Sequence, residues 1–290
     1  MSYKSGTITN YLSLIKFSHT VFALPFAVIG FFLAVKFAGY QLDIKLFLYV
    51  VLCMVFARSA AMAFNRYIDR EFDKKNPRTA IREIPSGVIK APYALTFVII
   101  NSFLFIAITY FINRLCFYLS PVALLVILGY SFTKRFTSLC HLVLGIGLSL
   151  APIGAYLAVT GKFAVLPLLF SFAVLFWVSG FDIIYALQDE DFDKQHKLRS
   201  LPVLLGKVNA LRLSSFFHLL TSAFIISAGI FAHFGIWYWV GTVVFIGLLV
   251  YQHRLVKPTD LSKVNLAFAT TNGIASVIFA LFVVIELFLN

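Results

Sequence analysis

Residues 142–159 read LVLGIGLSLAPIGAYLAV, a run without a single charged side chain. Its length approaches the roughly 20 apolar residues that a helix needs to cross the hydrocarbon core of a bilayer. Comparable runs occupy 95–111, 121–132 and 267–289, and apolar segments recur along almost the whole chain. The sequence therefore predicts an all-α, polytopic integral membrane protein.

The apolar segments leave no room for a separate soluble domain. The N-terminal segment lacks the short apolar core and small-residue cleavage site of a secretory signal, so the first span should be retained. About nine spans are predicted, over 13–38, 44–70, 93–112, 115–133, 140–160, 163–190, 210–232, 235–253 and 264–288. We expect one transmembrane domain over 1–290, with a central cavity and cytoplasmic cap loops.

The composition and the distribution of charge agree with this fold class. The chain of 290 residues is 61% hydrophobic and 12% charged, with a formal net charge of +12. With the N-terminus in the cytoplasm, the far side carries only Lys36, Lys45, Arg114 and Lys162. This positive-inside bias explains the basic character without a nucleic-acid partner. We expect a multi-pass protein of the inner (cytoplasmic) membrane, with its charged loops in the cytoplasm.

Cysteines and histidines predict neither a disulfide framework nor a zinc site. The three cysteines, Cys53, Cys116 and Cys140, are scattered in or beside apolar segments without C-x-x-C spacing. The six histidines are dispersed, and none pairs with a carboxylate at the helical spacing typical of zinc sites.

Acidic residues are rare and concentrated in two short windows. The chain has twelve, and all except Asp43, Asp260 and Glu286 lie in residues 69–83 or 182–193. Acids at or within membrane depth are costly, so they indicate function by default. One such window alone would be equally consistent with solvated residues at a helix end, whereas two windows favour a functional site.

The two windows also resemble each other in sequence. Residues 69–74 and 189–194 share the pattern D-x-x-F-D-K, and each follows a long apolar span and precedes a basic loop. The match predicts an internal duplication with one motif at 65–73 and the other at 182–193.

Helical spacing brings the acids of each window onto one face. At about 100° per residue, side chains four or seven positions apart project to the same side of a helix. The residues on these faces are Asn65, Asp69 and Asp73 in the first window and Asp182, Tyr185, Asp189 and Asp193 in the second. Mg²⁺ usually takes one or two carboxylates together with water and phosphate oxygens. Two facing ladders of carboxylates therefore predict Mg²⁺ sites that hold a diphosphate.

Basic residues lie close to both acidic windows and are predicted to neutralise the remaining charge of a metal-bound diphosphate. Arginine can bind such a group bidentately. The candidates are Arg78 and Arg82 after the first window, Lys134 and Arg135 after the fourth span, and Lys197 and Arg199 after the second window. For Lys134 and Arg135, positive-inside anchoring is an alternative explanation.

Aromatic residues are abundant, with 33 Phe and 13 Tyr. Most must face lipid or pack between helices. Tyr130 and Tyr185 adjoin the charged motifs, so they are candidates to stabilise an allylic cation through cation–π attraction. Arg58, deep in the second span, has no role that the sequence can assign.

Together these motifs resemble a known family. The patterns N-x-x-x-D-x-x-x-D at 65–73 and D-x-x-Y-x-x-x-D-x-x-x-D at 182–193 are similar to the two signatures of UbiA-type intramembrane prenyltransferases. The resemblance extends over nearly the whole chain and is greatest to the 4-hydroxybenzoate polyprenyltransferase branch. One departure is Arg66, where many members carry Asp, so the first motif has one carboxylate fewer.

The resemblance implies Mg²⁺-dependent transfer of a polyprenyl group from polyprenyl diphosphate to a small aromatic acceptor, 4-hydroxybenzoate, in quinone biosynthesis. It implies metal ligation by Asp69, Asp73, Asp189 and Asp193, with catalytic roles for these four and for Asp182 and Tyr185. The implied diphosphate ligands are Asn65, Arg78, Arg82, Tyr130, Lys134, Arg135, Lys197 and Arg199. Asp182 is expected either to orient the acceptor or to assist the leaving group.

Two other functions are consistent with parts of the pattern. Within the same superfamily, the acceptor could be a naphthoate of menaquinone biosynthesis, or haem. A cation-coupled transporter would also carry paired intramembrane acids and an internal repeat, but it would not need three basic loops beside them. The prenyl chain length and the oligomeric state have no signal in the sequence.

Overall fold

The computed structural model describes residues 7–16 and 22–289, and within these ranges the fold is built from helices without a β-strand. The α-helices are α1 (Thr7–Leu14), α2 (Leu24–Phe32), α3 (Ile44–Ile68), α4 (Arg70–Lys75), α5 (Ala91–Ile112), α6 (Arg114–Thr133), α7 (Cys140–Thr160), α8 (Val165–Ala186), α9 (Glu190–Gln195), α10 (Leu201–Phe231), α11 (Ile236–Leu255) and α12 (Asn272–Leu289). A π-helical turn, Leu33–Phe37, extends α2, and another, Leu266–Thr271, precedes α12.

Eight helical segments in the described ranges are long and apolar enough to cross a membrane. They are α3, α5, α6, α7, α8 with its continuation to Gln195, α10, α11, and α12 with the turn before it. A shorter apolar segment, Leu24–Phe37, lies within the first predicted span. Residues 17–21 of that span are outside the described ranges. The all-α, polytopic membrane class is confirmed, and the chain is an integral membrane protein.

The helix α8 lies at the centre of the bundle, between α7 and α10. Its Trp177 is fully buried in an aromatic cluster with Phe26, Phe245 and Phe279. The indole Nε1–H of Trp177 donates a hydrogen bond to Asn272 Oδ1 at 3.0 Å. A buried indole N–H needs such a partner, and here the partner connects α8 to α12. The helix that leads into the second acidic window is therefore firmly fixed.

Glycines allow two helix pairs to approach closely. A Cβ at Gly145 of α7 would lie 2.5 Å from both Leu175 O and Ser179 Oγ of α8. A Cβ at Gly30 of α2 would lie 2.0 Å from Pro152 O of α7. Because no real Cβ atom tolerates such distances, only glycine permits these contacts between backbones.

Both acidic windows share one backbone arrangement, in which a long helix ends and a short one begins. Asp69 (φ −89°, ψ 4°) separates α3 from α4, and Asp189 (φ −104°, ψ 3°) ends a 3₁₀ turn before α9. The uninterrupted helix expected over 65–73 is therefore wrong in detail. Hydrogen bonds from Asp69 N to Asn65 O (2.9 Å) and from Asp73 N to Asp69 O (2.8 Å) nevertheless keep the helical spacing. The internal duplication stays a prediction.

A sharp bend divides α10 near its start. Gly206 has φ 74° and ψ 163°, a conformation that glycine adopts more readily than other residues. The short segment before the bend begins at Leu201, directly after the loop that follows the second acidic window. The predicted span 210–232 lies in the long segment beyond the bend.

Candidate active site

A polar cavity of about 280 Å³ lies where α3, α6, α7 and α8 meet the charged loops. Its lining includes twelve of the predicted site residues: Asn65, Asp69, Asp73, Arg78, Arg82, Tyr130, Lys134, Arg135, Asp182, Tyr185, Asp189 and Asp193. Lys197 and Arg199 are not part of the lining, and both are exposed. Arg199 instead donates from Nη1 to the carbonyl oxygen of Phe136 at 2.7 Å.

Each carboxylate predicted to bind metal has a basic partner. The pairs are Arg135 Nη2 with Asp69 Oδ1 (3.4 Å), Arg82 Nη1 with Asp73 Oδ1 (2.6 Å), Arg78 Nε with Asp189 Oδ1 (3.0 Å), and Lys134 Nζ with Asp193 Oδ1 (2.6 Å). All eight side chains line the one cavity. The acids and bases are thus already arranged beside each other, and an anionic ligand can engage the bases while a cation engages the acids.

Arg78 connects the two acidic windows. It follows the first window in sequence, yet it binds Asp189 of the second through two guanidinium nitrogens and donates from Nη1 to Tyr185 Oη at 2.9 Å. Asn76 supports the same carboxylate, because its Nδ2 lies 3.1 Å from Asp189 Oδ1. Sequence reasoning missed Asn76, although its place just after the first window could have indicated it.

Electrostatic conditions in the cavity differ from those in water. Burial, and then the nearby Asp73 carboxylate, raise the pKa of Asp69 to about 6, although Lys134 and Arg135 oppose the shift. Burial alone would lower the pKa of Lys134, but the adjacent Asp193 carboxylate outweighs it and the pKa is raised. Asp69 is therefore a carboxylate whose charge is sensitive to mildly acidic pH, whereas Lys134 stays charged.

The donor atoms of the acidic windows suit a hard divalent cation. In the described part of the chain, no three His, Cys, Asp or Glu side chains are grouped as a preformed metal site. The four aspartates are instead engaged by Lys and Arg. Asp73 Oδ2 is nevertheless buried, and no described residue forms a hydrogen bond with it. An unpartnered carboxylate oxygen in an all-oxygen donor set matches the preference of Mg²⁺.

Two further arginines line the cavity, and the sequence pattern had given neither of them a role. Arg66 is 5% exposed, and its buried Nε and Nη1 atoms have no hydrogen-bond partner among the described residues. Arg58 is also in the lining, and its buried Nε has no hydrogen-bond partner within residues 7–16 and 22–289. Buried unpartnered guanidinium groups are unfavourable, so the cavity is prepared for an anion.

The sequence also gave no reason to connect Asp182 with His141. In the structure, His141 Nδ1 lies 2.7 Å from Asp182 Oδ2. The two residues are far apart in the chain and come from different helices, so helical spacing could not reveal the pair.

An apolar chamber of about 380 Å³ adjoins the polar cavity. The residues common to both linings are Arg58, Met62, Tyr130, Leu144 and Leu148. Beyond this boundary the chamber is lined mainly by aliphatic side chains of α3, α5, α6 and α7. A polar cavity that continues into an apolar chamber suits a molecule with an anionic head and a hydrocarbon tail.

Known proteins resemble the chain over most of its length. The sequence profile of the UbiA prenyltransferase family matches residues 23–283. A 4-hydroxybenzoate octaprenyltransferase of Tolumonas auensis is 32% identical over 223 residues, 77% of this chain and 78% of that protein. The enzyme of the same name from Aeromonas salmonicida is 31% identical over 242 residues, 83% of each chain.

Solved structures share the fold. The apo structure of a UbiA homolog from Aeropyrum pernix K1 superposes with a TM-score of 0.84 at 31% identity, covering 92% of this chain and 98% of that one. A UbiA homolog from Archaeoglobus fulgidus, solved with DMAPP and Mg²⁺, superposes with a TM-score of 0.76 at 20% identity, covering 97% and 100%. With the family profile and the relatives above 30% identity, these likenesses show that the chain is a membrane-embedded prenyltransferase of the UbiA family.

Proposed function

We propose that this enzyme transfers a polyprenyl group from polyprenyl diphosphate to 4-hydroxybenzoate in a Mg²⁺-dependent reaction of quinone biosynthesis. The observation that carries the proposal is the convergence of both acidic windows and four basic partners on a polar cavity that adjoins an apolar chamber. The acceptor is suggested by the names of the curated relatives. The charge distribution favours an inner-membrane protein with this cavity at the cytoplasmic face.

The acidic windows would hold the metal and the basic residues would hold the diphosphate. Bound Mg²⁺ would neutralise charge that develops on the leaving group. Asp69, Asp73, Asp189 and Asp193 supply the carboxylates for it. Their present partners, Arg78, Arg82, Lys134 and Arg135, would then turn to the diphosphate oxygens, which arginine can bind bidentately. Donors already placed around the leaving group need little reorganisation when the C–O bond breaks.

The apolar chamber would hold the hydrocarbon tail of the donor. Tyr130 lines both compartments, so its ring lies near the junction of head and tail. Tyr185 lines the polar cavity beside Arg78. An allylic cation formed as the diphosphate departs would gain cation–π stabilisation from such rings. A tail that fills the chamber also excludes water, which would otherwise capture the cation.

The reaction replaces the C–O bond of the donor with a C–C bond to the acceptor. A ring carbon of the acceptor forms a bond to C1 of the prenyl group, and the C1–O bond breaks with its electron pair leaving on the diphosphate. The same ring carbon then loses its proton, and the electrons of that C–H bond restore aromaticity. The chain must therefore bind two anions, the diphosphate and the acceptor carboxylate, exclude water and provide a proton acceptor.

Product analysis with a panel of acceptors tests this proposal. Membranes that contain the protein would receive Mg²⁺, a prenyl diphosphate and either 4-hydroxybenzoate or a naphthoate, and the lipid product would be identified by mass. We expect prenylated 4-hydroxybenzoate, with none in membranes that lack the protein. Prenylation of the naphthoate alone would contradict the proposed acceptor. Solute transport without any diphosphate release would contradict the proposed reaction.

A further inference from the structure

The Asp182 carboxylate contacts a buried histidine, His141, which is not part of the cavity lining. His141 lies in the first turn of α7 and is 3% exposed, whereas the Asp182 side chain on α8 is 23% exposed and lines the cavity. Their closest atoms, His141 Nδ1 and Asp182 Oδ2, are 2.7 Å apart. One face of this carboxylate is therefore held by the protein while the residue remains accessible to a ligand.

The direction of this hydrogen bond follows from the other ring nitrogen. The backbone N–H of Leu201 points at His141 Nε2, at a distance of 3.4 Å. Since Nε2 acts as the acceptor there, the imidazole proton is carried by Nδ1. His141 therefore donates to Asp182, and a donor on this side favours the ionised carboxylate and fixes its orientation.

The partner of Asp182 distinguishes it from the other acids of the site. The four aspartates proposed as metal ligands each pair with Lys or Arg, whereas in the described chain Asp182 has a hydrogen bond with the His141 imidazole. Asp182 also precedes Asp189 by seven residues, about 10 Å along a helix. Asp182 therefore lies away from the residues proposed to bind the diphosphate. It is suited to accept a proton rather than to bind the metal.

Close packing of α7 against α8 keeps His141 and Asp182 in contact. Gly145 lets α7 approach the backbone of α8 near Leu175. Ser179 Oγ contacts the carbonyl oxygens of His141 (3.2 Å) and Leu175 (2.7 Å), which connects the two helices one turn before Asp182. A catalytic carboxylate gains from such support, because small displacements reduce reaction rates strongly.

We propose that His141 is a positioning residue that holds Asp182 ready to accept the proton lost by the aromatic ring. The inference rests on the proposed function and assigns Asp182 to the acceptor side. When the new C–C bond has formed, the ring carbon transfers its proton to a carboxylate oxygen of Asp182. The electron pair of the C–H bond returns to the ring, and protonated Asp182 later releases its proton to water.

Three variants test the role of His141. His141→Leu removes the donor, His141→Asn offers an amide N–H near the position of Nδ1, and Asp182→Asn removes the proton acceptor. We expect His141→Leu to lower kcat about 10- to 100-fold, by analogy with the loss of a residue that orients a metal ligand through a hydrogen bond. The KM for the prenyl diphosphate should change less than about twofold. The kcat of His141→Asn should be at least about tenfold higher than that of His141→Leu.

Two further measurements separate positioning from folding. Each variant would be titrated with a non-hydrolysable prenyl thiolodiphosphate and Mg²⁺, and we expect wild-type affinity. In His141→Leu/Asp182→Asn the kcat should be no lower than in Asp182→Asn alone, because both changes act on one proton transfer. This comparison uses Asp182→Asn as its reference and does not require His141→Leu alone to be stable.

The proposal is overturned if His141→Leu keeps the wild-type kcat, if it loses affinity for the donor analogue, or if His141→Asn is as impaired as His141→Leu. Additive losses in the double variant would also contradict it. Failure of the wild-type protein to prenylate any acceptor would instead contradict the proposed function. The two failures are therefore distinguishable.

Discussion

Individual ion pairs explain how so many charges coexist at the end of a membrane-embedded bundle. Asp193 is fully buried, and its nearest cation is the Lys134 ammonium at 2.6 Å. Removing one partner of a buried ion pair lowers stability, because it leaves an uncompensated charge. The site therefore favours ligands that supply both signs at once, and a metal diphosphate does so.

Asp69, one of the proposed metal ligands, should make Mg²⁺ binding dependent on pH. Its pKa is raised to about 6 by burial and by Asp73, compared with about 3.9 for an ordinary Asp. As pH falls through about 6 the carboxylate is neutralised, so we expect Mg²⁺ affinity in the presence of a non-reactive donor analogue to decrease. Calorimetric titration between pH 5 and 7.5 would measure this.

Asp69→Asn is the control for the pH dependence, since it should bind Mg²⁺ more weakly and lose the step near pH 6. The same group affects stability in the opposite direction. Between about pH 6 and 4 the folded protein retains a proton that the unfolded chain releases, so this contribution to stability increases as pH falls. Equal wild-type affinity at pH 5 and 7.5 would contradict the assignment of Asp69.

Residue types and spacing predicted most of the site, but not its loops or its long-range pairs. Helical spacing identified the acids because they lie four and seven positions apart. Lys197 and Arg199 were predicted from their place in the loop after the second window, but neither lines the cavity, since Leu198 is buried there and its two neighbours are exposed. Helical spacing could not find His141, because its partner lies on another helix.

At the scale of elements, the contact between α7 and α8 positions both the second window and the His141–Asp182 pair. Gly145→Ala would place a methyl group 2.5 Å from Leu175 O and Ser179 Oγ. The helices would have to separate, at a cost of about 1–3 kcal/mol. We expect a lower Tm in detergent and a larger loss of kcat than of donor affinity.

Gly247→Ala on α11 is the matched control for that substitution, because a Cβ there meets no atom of the described part of the chain within 4 Å. Alanine should leave Tm unchanged or raise it slightly, since glycine is the less favourable residue in a helix. If Gly145→Ala and Gly247→Ala gave the same Tm and kcat, the close approach of α7 and α8 would not matter to the site.

The helical elements themselves were largely accessible from the sequence, because apolar length decides whether a segment can span a bilayer. The breaks at Asp69 and Asp189 were not. Both windows contain residues that continue a helix without difficulty, so the interruptions arise from tertiary contacts such as those of Arg135 with Ile68 O (2.8 Å) and of Arg78 with Asp189.

At the scale of the whole molecule, the bundle places a charged cavity beside an apolar chamber. The sequence predicted a cavity from convergent charges but gave no sign of the chamber. Its lining consists mainly of aliphatic and aromatic residues that do not differ in type from those facing lipid, with Arg58 at the boundary to the polar cavity. The packing of α3, α5, α6 and α7 decides which of these residues line the chamber and which face lipid.

The coupling of Mg²⁺, diphosphate release and prenylated product tests the central claim most directly. Purified wild-type protein, Asp69→Asn and Asp193→Asn would receive prenyl diphosphate and 4-hydroxybenzoate with and without Mg²⁺, and both products would be quantified. From the wild type we expect diphosphate and prenylated acceptor in equal amounts, and only when Mg²⁺ is present. Each folded, membrane-inserted variant should be reduced about 100-fold or more, as for lost electrostatic stabilisation. Full activity in both variants, or activity without Mg²⁺, would contradict the account.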